Sequence, residues 1–285
     1  GEAIGLLEKN GKTTIIAPEL EVGRAISESE DCDVITAERG SGLISTLIQK
    51  IKKNLVCTDC QNYSTMLSLK KSIPHIKSSV EPFYAARIVK DEKEIKILKK
   101  ASKIIDEMFT ICSKKIKVGQ KESELQTILM TYAMEQGMFD TGYASTLNPL
   151  IIAGGPNGAL PHAQVSQRKF KKGDLIVTDL TLRYKGYVSD STRTFALGKI
   201  SSQANEAYEI GQYFIHSTGH GIGLEVHELP TISYRSNTKL KENMAITVEP
   251  GVYLANKFGI RIEDSVIVKD RPIIMHKFTK DLVRI

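Results

Sequence analysis

Apolar and polar positions change their rhythm along this chain. Up to about residue 80, short apolar runs alternate with helical patterns. Thr14-Ile15-Ile16-Ala17, Val34-Ile35-Thr36 and Leu55-Val56-Cys57 predict strands, while Leu43, Leu47 and Ile51 recur at i, i+4, i+8 and share one helix face. Strands alternating with helices predict a small α/β layer. It holds no phosphate-binding glycine loop and no carboxylate cluster, so no chemistry is expected of it.

A long helix follows. Asp91 is placed to cap its start, and Ile95, Leu98, Ile105 and Met108 give it an apolar stripe. A second helix is predicted from about Glu122 to Gln136, started near Ser123 and stopped by Gly137. A domain boundary is expected near Pro82 to Arg87, giving one domain over 1–85 and another over 86–285. From residue 144 onward glycines are frequent and β-type runs dominate. The run Asp174 to Asp179 predicts a strand, Tyr184-Lys185-Gly186-Tyr187 a turn, and Val188-Ser189-Asp190 the returning strand. The runs Ala245 to Glu249 and Gly259 to Glu263 predict a second pair, turning near Asn256.

Composition narrows the class. The chain has 285 residues, 41% hydrophobic and 25% charged, an ordinary globular balance with ample material for a core. No run approaches the roughly 18 uninterrupted apolar residues of a membrane span. No signal peptide is visible, and the start at Gly1 without Met predicts that residues precede it. The net charge of +6 sits on lysines that recur in amphipathic segments, with no aromatic-interleaved basic stripe, so neither nucleic acid nor membrane is expected as a partner. Cys57 and Cys60 form a lone C-x-x-C; a zinc knuckle would need a second pair, and a buried strand is the simpler reading. Reduced thiols favour a cytoplasmic protein.

The chemistry lies in the second half. A hairpin turning near Lys185 would set Asp179 and Asp190 nearly opposite each other, with Cβ atoms roughly 5 Å apart. Two facing carboxylates at the end of an apolar run repel, and a bound cation removes that penalty. Either one alone reads better as a solvated strand end. Glu249 and Glu263 repeat the arrangement in the second hairpin. Three histidines, His216, His220 and His227, fall in twelve positions. His216 and His220 have the i, i+4 spacing of a helical zinc pair, but Gly219, Gly221 and Gly223 make a helix improbable and suit close backbone approach around a ligand.

These motifs resemble the pita-bread metallopeptidases, which include methionine aminopeptidase, aminopeptidase P and prolidase. The likeness covers nearly the whole chain and is strongest in Leu160-Pro161-His162, Val177-Thr178-Asp179-Leu180, the run Ser189 to Thr194, the run Thr218 to Gly223, Val248-Glu249-Pro250-Gly251 and the run Gly259 to Asp264. It implies an α+β pita-bread catalytic domain, two antiparallel hairpin-based halves with helices outside, preceded by a small α/β creatinase-type domain. It implies two divalent metal ions, with manganese or cobalt favoured over zinc or iron. Asp190 and Glu263 would bridge them, Asp179 would bind one, and His220 and Glu249 the other. The ions would share a bridging water that becomes hydroxide. Glu249 would also shuttle its proton, His162 and His227 would contact the reacting peptide, and His216 and Arg261 would line the substrate pocket. For Arg261, pairing with a substrate carboxylate and holding the metal-bearing strand are equally weighted.

The resemblance implies a prolidase, an Xaa-Pro dipeptidase acting on small proline-containing peptides as a homodimer. The alternatives are an Xaa-Pro aminopeptidase taking longer peptides, a hydrolase of other specificity, and a peptidase-like binding protein without catalysis. One departure is visible: only residues 200–212 stand where the family carries a further pair of helices, so either the loop is shortened or residues are absent there.

Overall fold

The computed structural model describes residues 3–37, 42–51, 56–140, 150–213 and 219–285. The chain divides into two compact units, Gly1–Phe83 and Tyr84–Ile285. In the first, Ile4–Leu7 pairs antiparallel with Thr13–Ala17, which pairs parallel with Asp33–Thr36. The helices Gly42–Ile51 and Tyr63–Ser72 contribute Leu47, Ile51 and Leu69 to a core shared with Ile16 and Ile73. The run expected as a buried strand at Cys57 differs. The strand is only Cys57–Thr58, paired parallel with Lys77–Ser78, and the Cys57 side chain is exposed. A two-residue pairing has no second face to cover it, and the alternation that turns Val56 toward the core turns Cys57 out. Leu55 lies outside the described residues. Where the sequence indicated only a boundary, the helix Glu81–Ile88 forms.

The second unit opens on the helix Glu92–Lys115. Asp91 Oδ1 accepts the Glu94 N–H at 2.8 Å, and Glu94 Oε2 accepts the Asp91 N–H at 2.7 Å. This reciprocal box satisfies donors the helix start would otherwise leave unpaired, a contribution of about 1 kcal/mol. The helix buries Ile105, Met108 and Phe109 against Leu180, Leu182 and Phe195 of a long hairpin. The helix Glu122–Glu135 closes the same core and stops before Gly137, whose φ of 77° a β-carbon would resist.

That hairpin joins Leu175–Tyr184 to Tyr187–Ala196 through ten paired positions. Its two-residue turn has φ of 48° at Lys185 and 87° at Gly186. Positive values at both central residues match the right-handed twist of the flanking strands. Leu150–Gly154 lies antiparallel on the first strand and Val283–Arg284 parallel on the second. A second sheet runs in the order Glu228–Ile232, Gly219–Gly221, Ala245–Val248, Asp264–Ile267, Ile273–Ile274. The expected pairing of 245–249 with 259–263 is displaced. Ala245–Val248 pairs with Asp264–Ile267, and the ribbon continues as Gly251–Leu254 with Phe258–Arg261. Pro250 has no N–H to give, so the ladder breaks there while the register carries through.

The two sheets are stitched at the centre. Ser191 Oγ donates to the Glu263 carbonyl at 2.6 Å, Thr194 Oγ1 to the Arg261 carbonyl at 3.0 Å, and Ser265 Oγ to the Asp190 carbonyl at 2.7 Å. Arg193, 2% exposed, donates to the carbonyls of Glu263, Phe278 and Thr279 and to Asp264 Oδ1. Among the described residues no helix is long and apolar enough to cross a membrane.

Candidate metal centre

The stitched seam is where the acids meet. Asp179 and Asp190 stand on the two strands of the long hairpin but not directly across from one another. Asp179 pairs with Thr192, and Asp190 with Thr181. The expected facing pair is therefore a diagonal one, on one side of the sheet and offset by one pleat, because the turn is centred between Lys185 and Gly186. Thr181 fills the gap: its hydroxyl lies 2.7 Å from Asp190 Oδ1 and 3.3 Å from Asp179 Oδ1. In the second ribbon the pairs Val248 with Asp264 and Gly251 with Arg261 share one register, which puts Glu249 opposite Glu263.

One ligand atom each from Asp190, His220 and Glu263 falls within 4.8 Å of the others. His220 Nε2 is 3.2 Å from Glu249 Oε1 and 3.9 Å from Asp190 Oδ2. His220 sits on the short strand Gly219–Gly221, where glycine permits the approach. A β-carbon on Gly219 would lie 2.0 Å from the Thr247 carbonyl oxygen, and one on Gly221 2.1 Å from that of Leu229. The backbone is thereby pressed between its neighbours.

The charges are unbalanced as they stand. Burial, and then repulsion from neighbouring carboxylates, raises Asp190 and Glu263 well above the ordinary carboxylate range. Burial, the largest single effect, pushes Glu249 the same way, but its hydrogen bond to His220, the nearby charges of His220 and Arg261 and its bond from Thr247 together outweigh it and lower Glu249. Burial would lower His220, but its bonds to Glu249 and the Gly221 carbonyl, with the charges of Glu249 and Glu263, together raise it. Glu263 Oε2 accepts from Thr192 Oγ1 at 2.7 Å, whereas Glu263 Oε1 is buried with no hydrogen-bond partner. An orphaned carboxylate oxygen beside a second buried acid and an imidazole is costly unless a cation completes it. The donor set of carboxylates and imidazole fits divalent ions.

Asp179 has a different neighbour. Arg261 Nη2 donates to Asp179 Oδ2, Nε to Thr192 Oγ1 at 3.0 Å, and Nη1 to the Pro161 carbonyl at 3.0 Å and Tyr253 Oη at 2.8 Å. Four of the five guanidinium N–H groups are thus engaged within the protein. Tyr253 is raised by its burial despite that guanidinium. Thr181, Thr192 and Tyr253 carry no signal in the sequence, because each acts through a pairing that only the folded sheets create.

The remaining predicted residues separate. His227 stacks edge-on against His220 with ring centroids 4.4 Å apart. Its imidazole and that of His162 are exposed, and His162 is near enough to act on the charge of His227. Withdrawal from water and those two neighbouring imidazoles lower His227, so it is neutral at neutral pH. His216 lies outside the described residues.

Buried acids on two stitched hairpins, an imidazole on a neighbouring strand and an orphaned carboxylate oxygen together fit a divalent-metal centre. Residues 96–212 and 207–270 match the model of metallopeptidase family M24, in two segments that meet on the helix Ser202–Tyr213. A curated Xaa-Pro dipeptidase of Pyrococcus furiosus is 32% identical over 91% of this chain and 82% of its own length. A Pyrococcus horikoshii Xaa-Pro dipeptidase is 35% identical over 71% of this chain and 66% of that protein. Among solved structures, a Bacillus anthracis Xaa-Pro dipeptidase superposes with a TM-score of 0.89 at 29% identity, covering 100% of this chain and 90% of that one. A Thermotoga maritima X-Pro aminopeptidase gives 0.86 at 27% identity, covering 99% and 90%. The chain belongs to metallopeptidase family M24, with its pita-bread fold.

Proposed function

We propose that this chain hydrolyses the peptide bond preceding proline in small peptides, acting first as an Xaa-Pro dipeptidase. The observation that carries the proposal is the cluster of Asp190, His220 and Glu263 with the orphaned Glu263 Oε1. The named activities of the relatives support the substrate. Asp190 and Glu263 would hold two divalent ions jointly, with Asp179 on one side and His220 and Glu249 on the other. We take the ions to be manganese or cobalt, and the excess of carboxylate oxygens favours the harder of the two, manganese. When bound, such ions supply Lewis acidity and make water a nucleophile near neutral pH.

The chain's own residues do the rest. Glu249, held ionised by His220, takes a proton from the attacking water and returns it to the departing proline nitrogen. His227, neutral at neutral pH, offers an N–H to the carbonyl oxygen as charge develops there. His162, near enough to act on the charge of His227, would contact the reacting peptide as well. Arg261 orients Asp179, and its engagement with four protein acceptors favours this over capture of a substrate carboxylate. We assign residues 1–83 to the creatinase-type domain and take the working form to be a homodimer. His216, by the family pattern, lines the pocket.

The test is a metal-reconstituted assay of Xaa-Pro and Xaa-Ala dipeptides beside Xaa-Pro-Yaa tripeptides. Cleavage of Xaa-Pro ahead of both others is expected. Faster cleavage of the tripeptide would favour the aminopeptidase reading, which the similarity to the Thermotoga maritima enzyme keeps in view. Preference for Xaa-Ala would overturn the proline assignment and leave the metallopeptidase standing.

A further inference from the structure

The turn that presents His220 and His227 closes around a buried carboxylate with no task in this scheme. Glu228 follows His227, and its side chain is 2% exposed. Its Oε2 accepts from Lys90 Nζ at 3.0 Å, and the Lys90 side chain is itself 1% exposed. Its Oε1 accepts from Arg87 Nη2 at 2.5 Å, Arg87 Nε at 3.2 Å and the Glu225 N–H at 3.1 Å. Arg87 Nη1 also donates to Glu225 Oε1 at 3.2 Å. A β-carbon on Gly223 would lie 2.7 Å from Glu228 Oε2, so the backbone of the turn packs directly on the carboxylate. The Gly223 carbonyl accepts the Val188 N–H at 2.7 Å, two residues from Asp190, and Lys90 is tied through its own N–H to the Asn243 carbonyl at 3.0 Å. Residues 221–228 thus form a ring centred on one carboxylate, pinned by two cations on one side and by the Asp190 strand on the other.

A buried ion pair is a poor source of stability, because desolvating both charges offsets most of their attraction. What it supplies is geometry: four donors from three directions fix where one carboxylate stands. We infer that Glu228, held by Lys90 and Arg87, is the positioning residue for His227. It fixes the turn that aims the imidazole into the cleft. The inference rests on the reading that His227 acts on the substrate.

Two variants of the chain test it, Glu228→Gln and the double variant Lys90→Met with Glu228→Gln. The single change leaves a buried ammonium without its carboxylate and lowers stability. The double change removes that orphan and restores it. In both, kcat for an Xaa-Pro dipeptide is expected to fall about 10–100-fold, the usual effect of removing an outer partner of a site residue. KM should stay within about two-fold and metal stoichiometry should be unchanged. The His227 ring resonances should move in both, recorded without substrate in the metal-free and the metal-loaded protein, while those of His75 stay in place. Recovery of kcat together with stability in the double variant would overturn the inference. So would an unmoved His227 resonance, or loss of metal in place of kcat, which would place the effect on His220. If the parent chain cleaves no Xaa-Pro peptide the peptidase reading fails, and the ring resonances still decide whether Glu228 positions His227.

Discussion

The Thr192 hydroxyl, on the strand that carries Asp190, donates to Glu263 Oε2 at 2.7 Å across the seam between the two sheets. One oxygen of Glu263 is thereby held by protein, and the other is buried with no hydrogen-bond partner. Thr192→Val keeps the shape and removes the donor. Metal affinity should fall about 10–100-fold, read by titration of the metal-free protein. Unchanged affinity would mean the hydroxyl does not orient Glu263.

Asp190→Asn replaces a buried anion by a neutral amide at the middle of the cluster. Two divalent ions per chain are expected in the parent and at most one in the variant, by elemental analysis, with activity lost. The metal-free variant should be more stable than the metal-free parent, since the repulsion that raises Asp190 and Glu263 is relieved. Equal melting temperatures of the two metal-free proteins would contradict the crowding of charge.

Arg261→Ala separates orientation of Asp179 from capture of a substrate carboxylate. If the guanidinium holds Asp179, metal affinity and kcat fall while the ratio of KM for Xaa-Pro and Xaa-Pro-Yaa stays at the parental value. A selective rise in KM for the dipeptide would assign the arginine to the substrate.

His162→Ala should lower kcat about 10²–10³-fold if the imidazole meets the developing charge. Metal content should not change if the imidazole serves the peptide and not an ion. Loss of metal in this variant would make His162 a ligand.

Asp106 gives a pH dependence remote from the metal centre. Burial alone would raise it, but His276 and the N–H groups of Lys277 and Phe278 together hold it below the ordinary aspartate value. A carboxylate depressed in the folded state contributes stability above its unfolded pKa of about 3.9 and loses it as pH falls through the lower folded value. The gap in melting temperature between the parent and Asp106→Asn should therefore be constant near neutrality and close below about pH 4. A gap that persists at pH 2 would remove Asp106 as its source.

Periodicity and punctuation were read directly from the chain. The capped helix after Asp91, the stop at Gly137, the Lys185-Gly186 turn and the paired acids follow from spacing of two or 3.6 and from residues with few backbone options. His220 was legible for the same reason, since three glycines within five positions exclude a helix. The sequence alone thus determined most of the elements of the second unit and which side chains on them bear the chemistry.

Tertiary structure decided how those side chains meet. Nothing local distinguishes Thr192 from other strand threonines, or Lys90 and Arg87 from the solvated lysines around them. Their roles come from partners 71, 138 and 141 positions away along the chain. The offset of Asp179 from Asp190, the capture of Arg261 by Asp179 and the closing of the histidine turn on Glu228 are likewise long-range. The physical reason is that backbone propensity acts within a few residues, whereas a buried charge takes its meaning from whichever distant groups folding brings to replace water.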